Sequence, residues 1–561
     1  MARTVTLGRT KLDVRWTVLD RLIEHFAPVR AAQRLQARVG HAMIATGYNG
    51  ASSSRRSLAG WNPLPGSADD DTLADLPTLR ARVRDLDRNA PVAGGAINTT
   101  VTNVVGTGLS VQPQIDHQAL GLSEEQAADW QDTTLREFLL WSESTDCDAT
   151  RALNFYGLQS LAFRTALTSG DCFAVQAFVP RQRTPIALAI QLFEADYVCN
   201  PHWTPDAANL IQGVELDGLG APVRYYFASA HPTRRGRRHG ITWSAVDAFG
   251  SRTGRRNVLH LFDRRRPGQT RGVPFLAPVI EPLKQLERYT EAELMAAVVS
   301  GMFTVFIQSE APATLMPSAQ TAAGAGTTAA ASATLGTHLG NGLVVELNPN
   351  EKIDTANPGR PNAQFDPFVT AIIRQIGLLL EIPYEILVKH YQSSYSAAKA
   401  AMNDAWKFFR SRRDWVATYF CQPIYETWLE EAVARGRVIA PGFFADAAIR
   451  RAWCRASWVG DGPGSLDPLK EALAARERTE LTISTLAQES ILHDGGDWNA
   501  KVRQRGREEA MRRAAGLGPT VVTPGQPDQS APTEGQQPQA ASPQSTAVAE
   551  AYGAAYRASI E

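Results

Sequence analysis

The side chains that most often carry chemistry are thinly spread along this chain of 561 residues. Ten histidines are present, and none stands at metal-ligand spacing from a second histidine or a cysteine. His260 lies inside the apolar strand pattern of Val258 to Phe262, so we expect a core histidine bonded to the backbone. The cysteines are odd in number and form no C-x-x-C pair, which indicates reduced thiols, no disulfide framework and no zinc site. They are Cys147, Cys172, Cys199, Cys421 and Cys454.

Two other patterns suggest chemistry only weakly. Gly106-Thr107-Gly108 resembles half of a dinucleotide fingerprint, but it lacks the third glycine, so we interpret it as the turn into a strand. Asp69-Asp70-Asp71 is typical of an acidic surface loop more than of a metal site. No phosphate-binding loop, H-E-x-x-H zinc motif or G-x-S-x-G nucleophile motif occurs. The sequence therefore predicts no enzyme activity, no metal and no cofactor.

Two basic clusters are placed where they could contact phosphate. They are Arg234-Arg235-Gly236-Arg237-Arg238 and Arg264-Arg265-Arg266. Solvated loops, or ion pairs with a neighbouring subunit, are equally compatible with both. Lysine plus arginine equals aspartate plus glutamate at 57 each, so the net charge is zero. A protein that grips nucleic acid tightly usually carries a basic excess, and this balance argues against that class.

Targeting and membrane signals are weak as well. The N-terminal stretch is too polar for a secretory signal. The longest apolar stretch, roughly Leu294 to Ile307, is too short to span a bilayer and is interrupted by polar residues. We expect a soluble protein without a membrane segment.

The elements that would position these residues fall into two groups. From about 76 to 275 the periodicity predicts a mixed α/β region in which short helices alternate with short strands. The predicted helices lie near 79–86, 96–105, 127–141 and 155–167. The predicted strands lie near 109–112, 171–178, 187–193, 213–216, 224–227 and 258–262.

Long helices dominate after residue 275. One is predicted over Pro278 to Ser300. The second, Phe365 to Ile382, has apolar residues at steps of three and four, with Asp366 as the expected N-cap. The third runs from about Ser396 to Arg435, is stopped by Gly436 and should be kinked by Pro423.

Three stretches differ in composition from the rest. Residues 15–60 begin with a short helical pattern that should stop near Pro28, and we expect an extended arm there. Residues 311–340, rich in alanine, threonine, serine and glycine, predict a flexible insertion flanked by strand patterns near 303–308 and 342–347. The Pro, Gln, Ser and Gly-rich tail after residue 516 should be largely disordered.

Several segments, in chain order, resemble the lambda-type family of phage portal proteins. They are Tyr48-Asn49-Gly50-Ala51 with Arg55-Arg56 and Trp61; Leu79 to Asn89; Asn103 to Gly108; Ser169-Gly170-Asp171; Arg266 to Pro274; Ile382-Pro383-Tyr384-Glu385; and Tyr395 to Ala401. The similarity spans about residues 15–500, and the run Leu79 to Asn89 together with Arg266 to Pro274 is the most specific part. Lys399 departs from the family pattern, which has arginine there, and both side chains are cationic.

This resemblance implies a portal fold of the α+β class and a ring of twelve subunits at one capsid vertex. DNA would be packaged and ejected through the central channel, and a neutral chain suits a channel that lets DNA slide. The implied partners are the major capsid protein and scaffold, the terminase large subunit, head–tail connector proteins and, transiently, double-stranded DNA. The implied location is the virion, after assembly in the host cytoplasm.

The resemblance also implies a division of the chain. The expected regions are an N-terminal arm (1–75), an α/β wing (76–275), a first stem helix (276–302), a clip with the insertion (303–364), a second stem helix (365–382), a tunnel-loop candidate (383–397), a kinked helix with a helical crown (398–515) and a tail (516–561). Two helices that bracket a small β-rich insertion suit a stem with a clip between its arms.

Two segments are the candidate sites. The hinge into the first stem helix is expected at Arg266-Pro267-Gly268-Gln269-Thr270-Arg271-Gly272, where the glycines permit the turn. The DNA-contacting tunnel loop is expected at Lys389-His390-Tyr391-Gln392-Ser393-Ser394-Tyr395, where Lys389 offers one phosphate contact per subunit. The alternative for this loop is an ordinary helix connection with Tyr391 packed inward. Another structural component of a capsid or tail ring is the alternative function, and an enzyme is a distant third.

Overall fold

A computed structural model of the chain describes residues 2–7, 10–15, 23–44, 50, 55–233, 240–301, 305–308, 352–355, 364–391, 394–464, 467–494, 496 and 498–517. Within these ranges no helix is both long and apolar enough to cross a membrane. The chain divides into two compact units. Unit 1 comprises Met1–Ile97, Ala162–Ala177 and Ile190–Leu380, and unit 2 comprises Asn98–Leu161, Phe178–Ala189 and Glu381–Glu561.

Helices predominate, and the strands are short. The helices are α1 (Pro28–Ile44), α2 (Leu76–Asn89), α3 (Pro91–Val104), α4 (His117–Leu120), α5 (Glu124–Ser142), α6 (Phe155–Ser169), α7 (Ile280–Gly301), α8 (Phe365–Leu380), α9 (Tyr384–Val388), α10 (Tyr395–Val416), α11 (Gln422–Ala434), α12 (Ala447–Cys454), α13 (Pro468–Glu480), α14 (Leu486–Asp494) and α15 (Trp498–Ala514). The strands are β1 (Ala2–Leu7), β2 (Thr10–Arg15), β3 (Ser110–Pro113), β4 (Asp171–Phe178), β5 (Leu188–Glu194), β6 (Leu210–Ile211), β7 (Val214–Leu216), β8 (Pro222–Ala228), β9 (Trp243–Asp247), β10 (Val258–Phe262), β11 (Val305–Gln308), β12 (Lys352–Thr355) and β13 (Ala456–Val459).

The core of unit 1 is formed largely by side chains of its short strands. One sheet has the order β6-β7-β8-β9, and another has the order β10-β4-β5. The side chains that form the apolar cluster between strands are Phe173, Val198, Val214, Tyr225, Phe227, Ala248 and Val258. Most of β4 is buried along its length, which explains why its sequence shows a nearly continuous apolar run instead of alternation.

The long helices of unit 1 pack against each other through aromatic rings. Tyr289 of α7 contacts Phe365 and Phe368 of α8, with ring centroids 5.6 and 5.0 Å apart. Strands β11 and β12 follow α7 and precede α8 in the chain, and they pair antiparallel. The predicted insertion 311–340, the strand pattern near 342–347 and the basic cluster Arg234 to Arg238 lie outside the described residues.

One predicted helix boundary is confirmed and another is wrong. The helix predicted to stop near Pro28 does so, since residues 23–26 are helical, Ala27 interrupts the helix and Pro28 begins α1, where its missing N–H needs no helical partner. Asp366 is not the N-cap of α8, which begins one residue earlier, so its carboxylate lies in the first turn. A negative charge there still interacts favourably with the helix dipole.

The core of unit 2 is aromatic. Phe138 of α5 makes edge-to-face contacts with Phe155, Tyr425 and Trp428, at centroid distances of 5.8, 5.5 and 5.0 Å. Phe138 and its three neighbours are all buried. Such pairs add about 0.5–1.5 kcal/mol each beyond the area they bury, so this cluster fixes how α5, α6 and α11 pack.

The predicted third long helix is a succession of α10, a π-helical turn at Ala417–Cys421, and α11. Pro423 lacks the N–H that would bond to the carbonyl four residues earlier, and its ring displaces that carbonyl. The irregular turn directly before it is the local consequence. Gly436 follows with φ of +69°, the left-handed conformation that ends many helices.

Candidate functional site

The buried carboxylate of Asp171, the first residue of β4, accepts four hydrogen bonds. Arg80 Nη2 donates to it at 2.8 Å and Arg271 Nε at 2.9 Å. The backbone N–H of Gly272 donates at 2.7 Å, and His260 Nε2 lies 2.8 Å from Oδ1. Four donors from three segments distant in the sequence therefore meet on one carboxylate.

Burial and charge act in opposite directions on this group. Burial alone would raise the pKa of Asp171, but the positive charge of Arg271, the hydrogen bond from His260 and the charge of Arg80 outweigh it. The pKa of Asp171 is held well below its ordinary value as a result. Both Asp171 and Arg271 are completely buried, so each charge needs the other.

Arg271 donates hydrogen bonds to three backbone carbonyl oxygens besides its bond to Asp171. Its Nη1 donates to the carbonyl oxygens of Val198 at 3.0 Å and Gln212 at 2.6 Å, and its Nη2 donates to that of Ala195 at 2.7 Å. A planar guanidinium can satisfy all these acceptors at once, which a lysine cannot do. Arg271 thereby ties the segment before α7 to the chain around β5 and β6.

His260 is buried in β10 as predicted, but its predicted backbone bond is wrong. Its partner is Asp171, which lies diagonally across the β10–β4 pair. The ring stacks on Phe173 and Phe262, with centroids 4.2 and 4.3 Å away. Burial lowers the pKa of His260 although Asp171 opposes the shift, so the neutral ring donates its Nε2–H to the carboxylate.

The predicted hinge segment, residues 266–272, is bonded along its length to other parts of unit 1. Arg266 pairs with Asp71 at 2.5 Å, and Thr270 donates through N and Oγ1 to Asp69 at 2.8 and 2.7 Å. Gln269 accepts from the N–H of Arg265 at 2.9 Å. The acidic run that we interpreted as a surface loop thus holds this segment through two of its three carboxylates.

The two glycines of this segment have distinct roles. Gly268 has φ of +77°, which allows the chain to turn. A Cβ added at Gly272 would lie 2.0 Å from the carbonyl oxygen of Gly170, so the two backbones touch. The glycines therefore permit a turn and a close approach. Whether the segment also bends as a hinge remains a prediction.

Arg264 and Arg265 of the second basic cluster contact neighbouring side chains at the surface. Arg264 stacks over the Phe262 ring at 5.4 Å, and Arg265 lies 3.5 Å from Asp263. These exposed pairs contribute little to stability. Contact of this cluster with solvent, with phosphate or with a neighbouring subunit stays a prediction.

One group of side chains has the composition of a metal site. Ligand atoms of Glu194, Asp196 and His231 all lie within 4.8 Å of one another. Arg84 already pairs with Asp196, and the N–H of Thr233 donates to His231 Nδ1, which leaves the proton on Nε2. A bound cation would have to displace both, so the group is an ion-pair cluster in this structure.

The tunnel-loop candidate belongs to unit 2 and connects α9 to α10. Lys389 adopts φ of +57° and ends α9, and Ser394 caps α10 by accepting from the N–H of Ala397. Lys389, His390 and Tyr391 are exposed, with 58% of Tyr391 accessible, so Tyr391 is not packed inward within a single chain. Tyr395 is the first residue of α10, and Gln392 and Ser393 lie outside the described residues.

Two further contacts in unit 2 involve segments that resemble the portal family. Lys399 pairs with Glu471 at 2.8 Å. Arg413 donates to the carbonyl oxygens of Asn103, Val104 and Asp461 at 2.9, 3.0 and 2.8 Å. Arg413 therefore holds the end of α3 against the loop that follows β13.

Sequence reasoning singled out neither Asp171 nor Arg80 as a site residue. The one available signal was that both lie in segments chosen for their resemblance, together with Arg271 and Gly272. Three of those segments, Leu79 to Asn89, Ser169 to Asp171 and Arg266 to Pro274, meet in the Asp171 cluster.

A comparison with known protein families shows which family the chain belongs to. The family described as "Phage portal protein, lambda family" matches residues 54–413. The chain belongs to this family. Its role is that of a portal at a capsid vertex, and it is a component of the virion.

Similar portal proteins are known from several phages. The chain is 28% identical over 491 residues to portal protein B of Escherichia phage lambda, covering 84% of this chain and 91% of that protein. It is 28% identical over 494 residues to the portal protein of Escherichia phage N15, covering 84% and 92%. A probable portal protein of Halomonas phage phiHAP-1 is 23% identical over 445 residues, covering 77% and 80%.

Solved structures give a weaker likeness. One similar chain comes from the virion of a native gene transfer agent particle, with a TM-score of 0.37, 13% identity and coverage of 83% of this chain and 98% of that chain. Another comes from the neck of a native particle, with a TM-score of 0.36, 13% identity and coverage of 70% and 96%. The assignment of this portal protein to its family depends on the sequence match.

The first prediction concerns the Asp171 cluster of the portal protein. Asp171→Ala should lower the free energy of unfolding by about 3–5 kcal/mol, because it leaves two buried guanidinium groups without their counter-charge. Asp71→Ala, which breaks the exposed pair with Arg266, should cost less than about 1 kcal/mol. Urea unfolding followed by circular dichroism measures both. Equal losses of unfolding free energy in the two variants would show that the buried cluster contributes no more to stability than an exposed ion pair.

A second prediction uses pH. The unfolded chain takes up a proton at His260 below about pH 6.5, whereas the folded chain resists it, so the stability of the wild type should decline as pH falls below that value. His260→Gln, whose amide can still donate to Asp171, should flatten this decline while leaving the fall below about pH 4 that Asp171 causes. Urea midpoints between pH 7.5 and 3.5 test this. Identical pH profiles would contradict the neutral, buried state of His260.

Proposed function

We propose that this portal protein assembles into a closed ring of twelve subunits whose central channel admits DNA during packaging and releases it during ejection. The ring also serves as the platform for the terminase large subunit and, later, for head–tail connector proteins. It contacts the major capsid protein and scaffold as the capsid assembles in the host cytoplasm. The single observation that carries the proposal is the family match over residues 54–413, which includes both long helices and the chain between them.

Exposed apolar side chains on the long helices support assembly. Leu294 and Met295 of α7 are 65% and 58% exposed, and Leu378 and Leu379 of α8 are 82% and 58% exposed. Each would gain free energy if a neighbouring subunit covered it, by roughly 25 cal/mol per Å² of apolar surface. Subunits that join head to tail with a closing rotation form a ring.

The loop from Lys389 to Tyr395 is the proposed contact with DNA. Its exposed cation provides one phosphate contact per subunit, and such contacts weaken as the salt concentration rises. The net charge of zero also disfavours tight binding, which suits a channel through which DNA must move. Exposed Tyr391 adds a contact that carries no sequence preference.

The region from 303 to 364 is the proposed platform for the terminase and connector proteins. The described part of this region consists of the short antiparallel pair β11 and β12. Two long helices that bracket this pair suit a stem with a clip between its arms.

We also propose that the portal protein is not an enzyme. Burial raises the pKa of all five thiols, to about 12 for Cys147 and Cys454, so none is a ready nucleophile at neutral pH. His260 is confined by its bond to Asp171. ATP hydrolysis or DNA cleavage by the purified ring, at a rate abolished by a single substitution, would contradict this part of the proposal.

The test of the channel combines two substitutions. Lys389→Ala with Tyr391→Ala should leave rings and procapsids intact but reduce the DNA retained per particle, because each subunit loses the phosphate contact of Lys389 and the backbone contact of Tyr391. Ring mass by light scattering and the DNA content of purified particles are the two measurements.

A matched control replaces another exposed lysine and tyrosine of unit 2, Lys501→Ala with Tyr419→Ala, and should retain DNA normally. Normal retention in the loop variant would remove the segment from the mechanism. A wild-type protein that stays monomeric at high concentration would contradict the ring itself.

A further inference from the structure

The stretch from 59 to 65, which we call the proline segment, is exposed along its whole length. It contains two large apolar side chains, Trp61 and Leu64, which are 67% and 89% exposed. Residues 62–65 form no hydrogen bond with the rest of the described chain. Two large apolar side chains so close together and so exposed indicate a surface that another molecule covers.

The sequence of the proline segment favours an extended backbone. Pro63 and Pro65 fix their own φ near about −65°, and each disfavours the helical conformation of the residue before it. From Trp61 onward the segment accordingly has no regular secondary structure. Its C-terminal end is fixed, because Arg266 Nη2 donates to the carbonyl oxygen of Gly66 at 3.0 Å. A stiff, extended peptide loses little conformational entropy when it binds.

A second exposed surface of unit 1 consists of aromatic rings. It is formed by His202, Trp203 and Trp243, which we call the aromatic platform. The ring centroid of Trp243 is 5.1 Å from that of His202 and 5.4 Å from that of Trp203. Trp203 is 52% exposed. Trp243 is the first residue of β9, so the platform lies at one end of the outer strand of the β6-β7-β8-β9 sheet.

The backbone of the platform is strained. His202 and Trp203 have φ of +54° and +60°, a left-handed conformation that bulky side chains rarely adopt. The buried amide of Asn200 holds this turn, since it donates to the Asp206 carboxylate at 2.8 Å and accepts from the N–H of Gly213 at 2.6 Å. Strain that the surrounding structure enforces in this way is typical of binding surfaces.

The two surfaces lie in stretches of opposite charge. Arg55-Arg56 directly precedes the proline segment, and residues 55–65 contain no acidic side chain. The chain from 199 to 221, which includes the platform turn, has three carboxylates and no lysine or arginine. These carboxylates are Asp206, Glu215 and Asp217. Opposite charge favours the encounter of the two surfaces.

We infer that the proline segment of one subunit binds the aromatic platform of the neighbouring copy in the ring. Pro63 and Leu64 pack on Trp203 and Trp243 of the neighbour, in the way that proline-rich peptides bind aromatic-lined grooves. A second copy is the occupant because the single chain leaves both surfaces exposed. A head-to-tail ring brings two different patches of identical subunits together at every interface. The inference rests on the ring proposed above.

Photo-crosslinking tests this contact directly. Leu64 is replaced by p-benzoylphenylalanine in the full chain, purified rings are irradiated, and the linked peptides are identified by mass spectrometry. We expect covalent dimers and higher multimers on a denaturing gel, with links to residues 200–206 and to Trp243. The control places the same photoreactive residue at Leu219, which is 96% exposed in the turn between β7 and β8. It should give no links to 200–206.

A glycine substitution tests whether the indole of Trp203 makes the contact. Trp203→Gly removes the indole and suits the left-handed backbone, so the chain should fold with an unchanged or higher urea midpoint. The yield of links from position 64 should fall by about tenfold, a loss common for tryptophans at the centre of an interface. Phe249→Ala, which removes another exposed ring of unit 1, should leave the yield unchanged. Loss of the ring in a Trp203→Gly protein that folds normally would also support the platform as a subunit contact.

Several results would overturn the inference. Links within a single chain would show that the segment binds its own platform. Links that map elsewhere, or an unchanged yield in Trp203→Gly, would show that the platform is not the binding surface. Wild-type rings that form without these links contradict the inference alone, whereas a wild type that forms no ring contradicts the proposed function and the inference together.

Discussion

The structure of unit 1 depends on one buried negative charge. Asp171 takes bonds from Arg80 of α2, His260 of β10 and Arg271 of the segment before α7, and each of these groups would be costly to bury alone. A buried ion pair of this kind adds little net stability compared with apolar packing, but the loss of one member is severe. The cluster therefore favours one arrangement of these elements, because any other arrangement would leave a buried charge unpaired. Slipping β10 by one residue along β4 would leave Asp171 without His260.

The cluster also constrains what residues 266–272 can do. The resemblance to portal proteins leads us to expect bending there, between the sheets and the first long helix. The structure shows the segment braced by Asp69, Asp71 and Asp171 and by the close contact of Gly170 with Gly272. A Cβ built at Gly268 would meet no atom within 4 Å, so the backbone there is less tightly enclosed than at Gly272. Bending at Gly272 would break the Asp171 bonds, so any motion must be confined to the first half of the segment.

Much of this fold could be predicted from the sequence. The strands β4 and β10 coincide with the predicted ranges, and α8 shows the clear apolar stripe of a helix with one buried face. The Asp171 cluster could not be predicted, because its members are 91 and 100 residues apart and no local pattern records such a distance. His260 illustrates which part of the site the sequence could not predict. Its burial followed from the strand pattern, but its partner is set by the pairing register of β4 and β10.

The Asp171 cluster should make the connection between the sheets and the long helices of unit 1 stiff. The most direct measurement of that claim is hydrogen–deuterium exchange at the amide of Gly272, which donates to Asp171. The account predicts that a peptide covering 268–276 exchanges as slowly as β4 and is released only when unit 1 unfolds as a whole. Fast exchange of that peptide while β4 stays protected would contradict it, because the segment would then open locally with the carboxylate still buried.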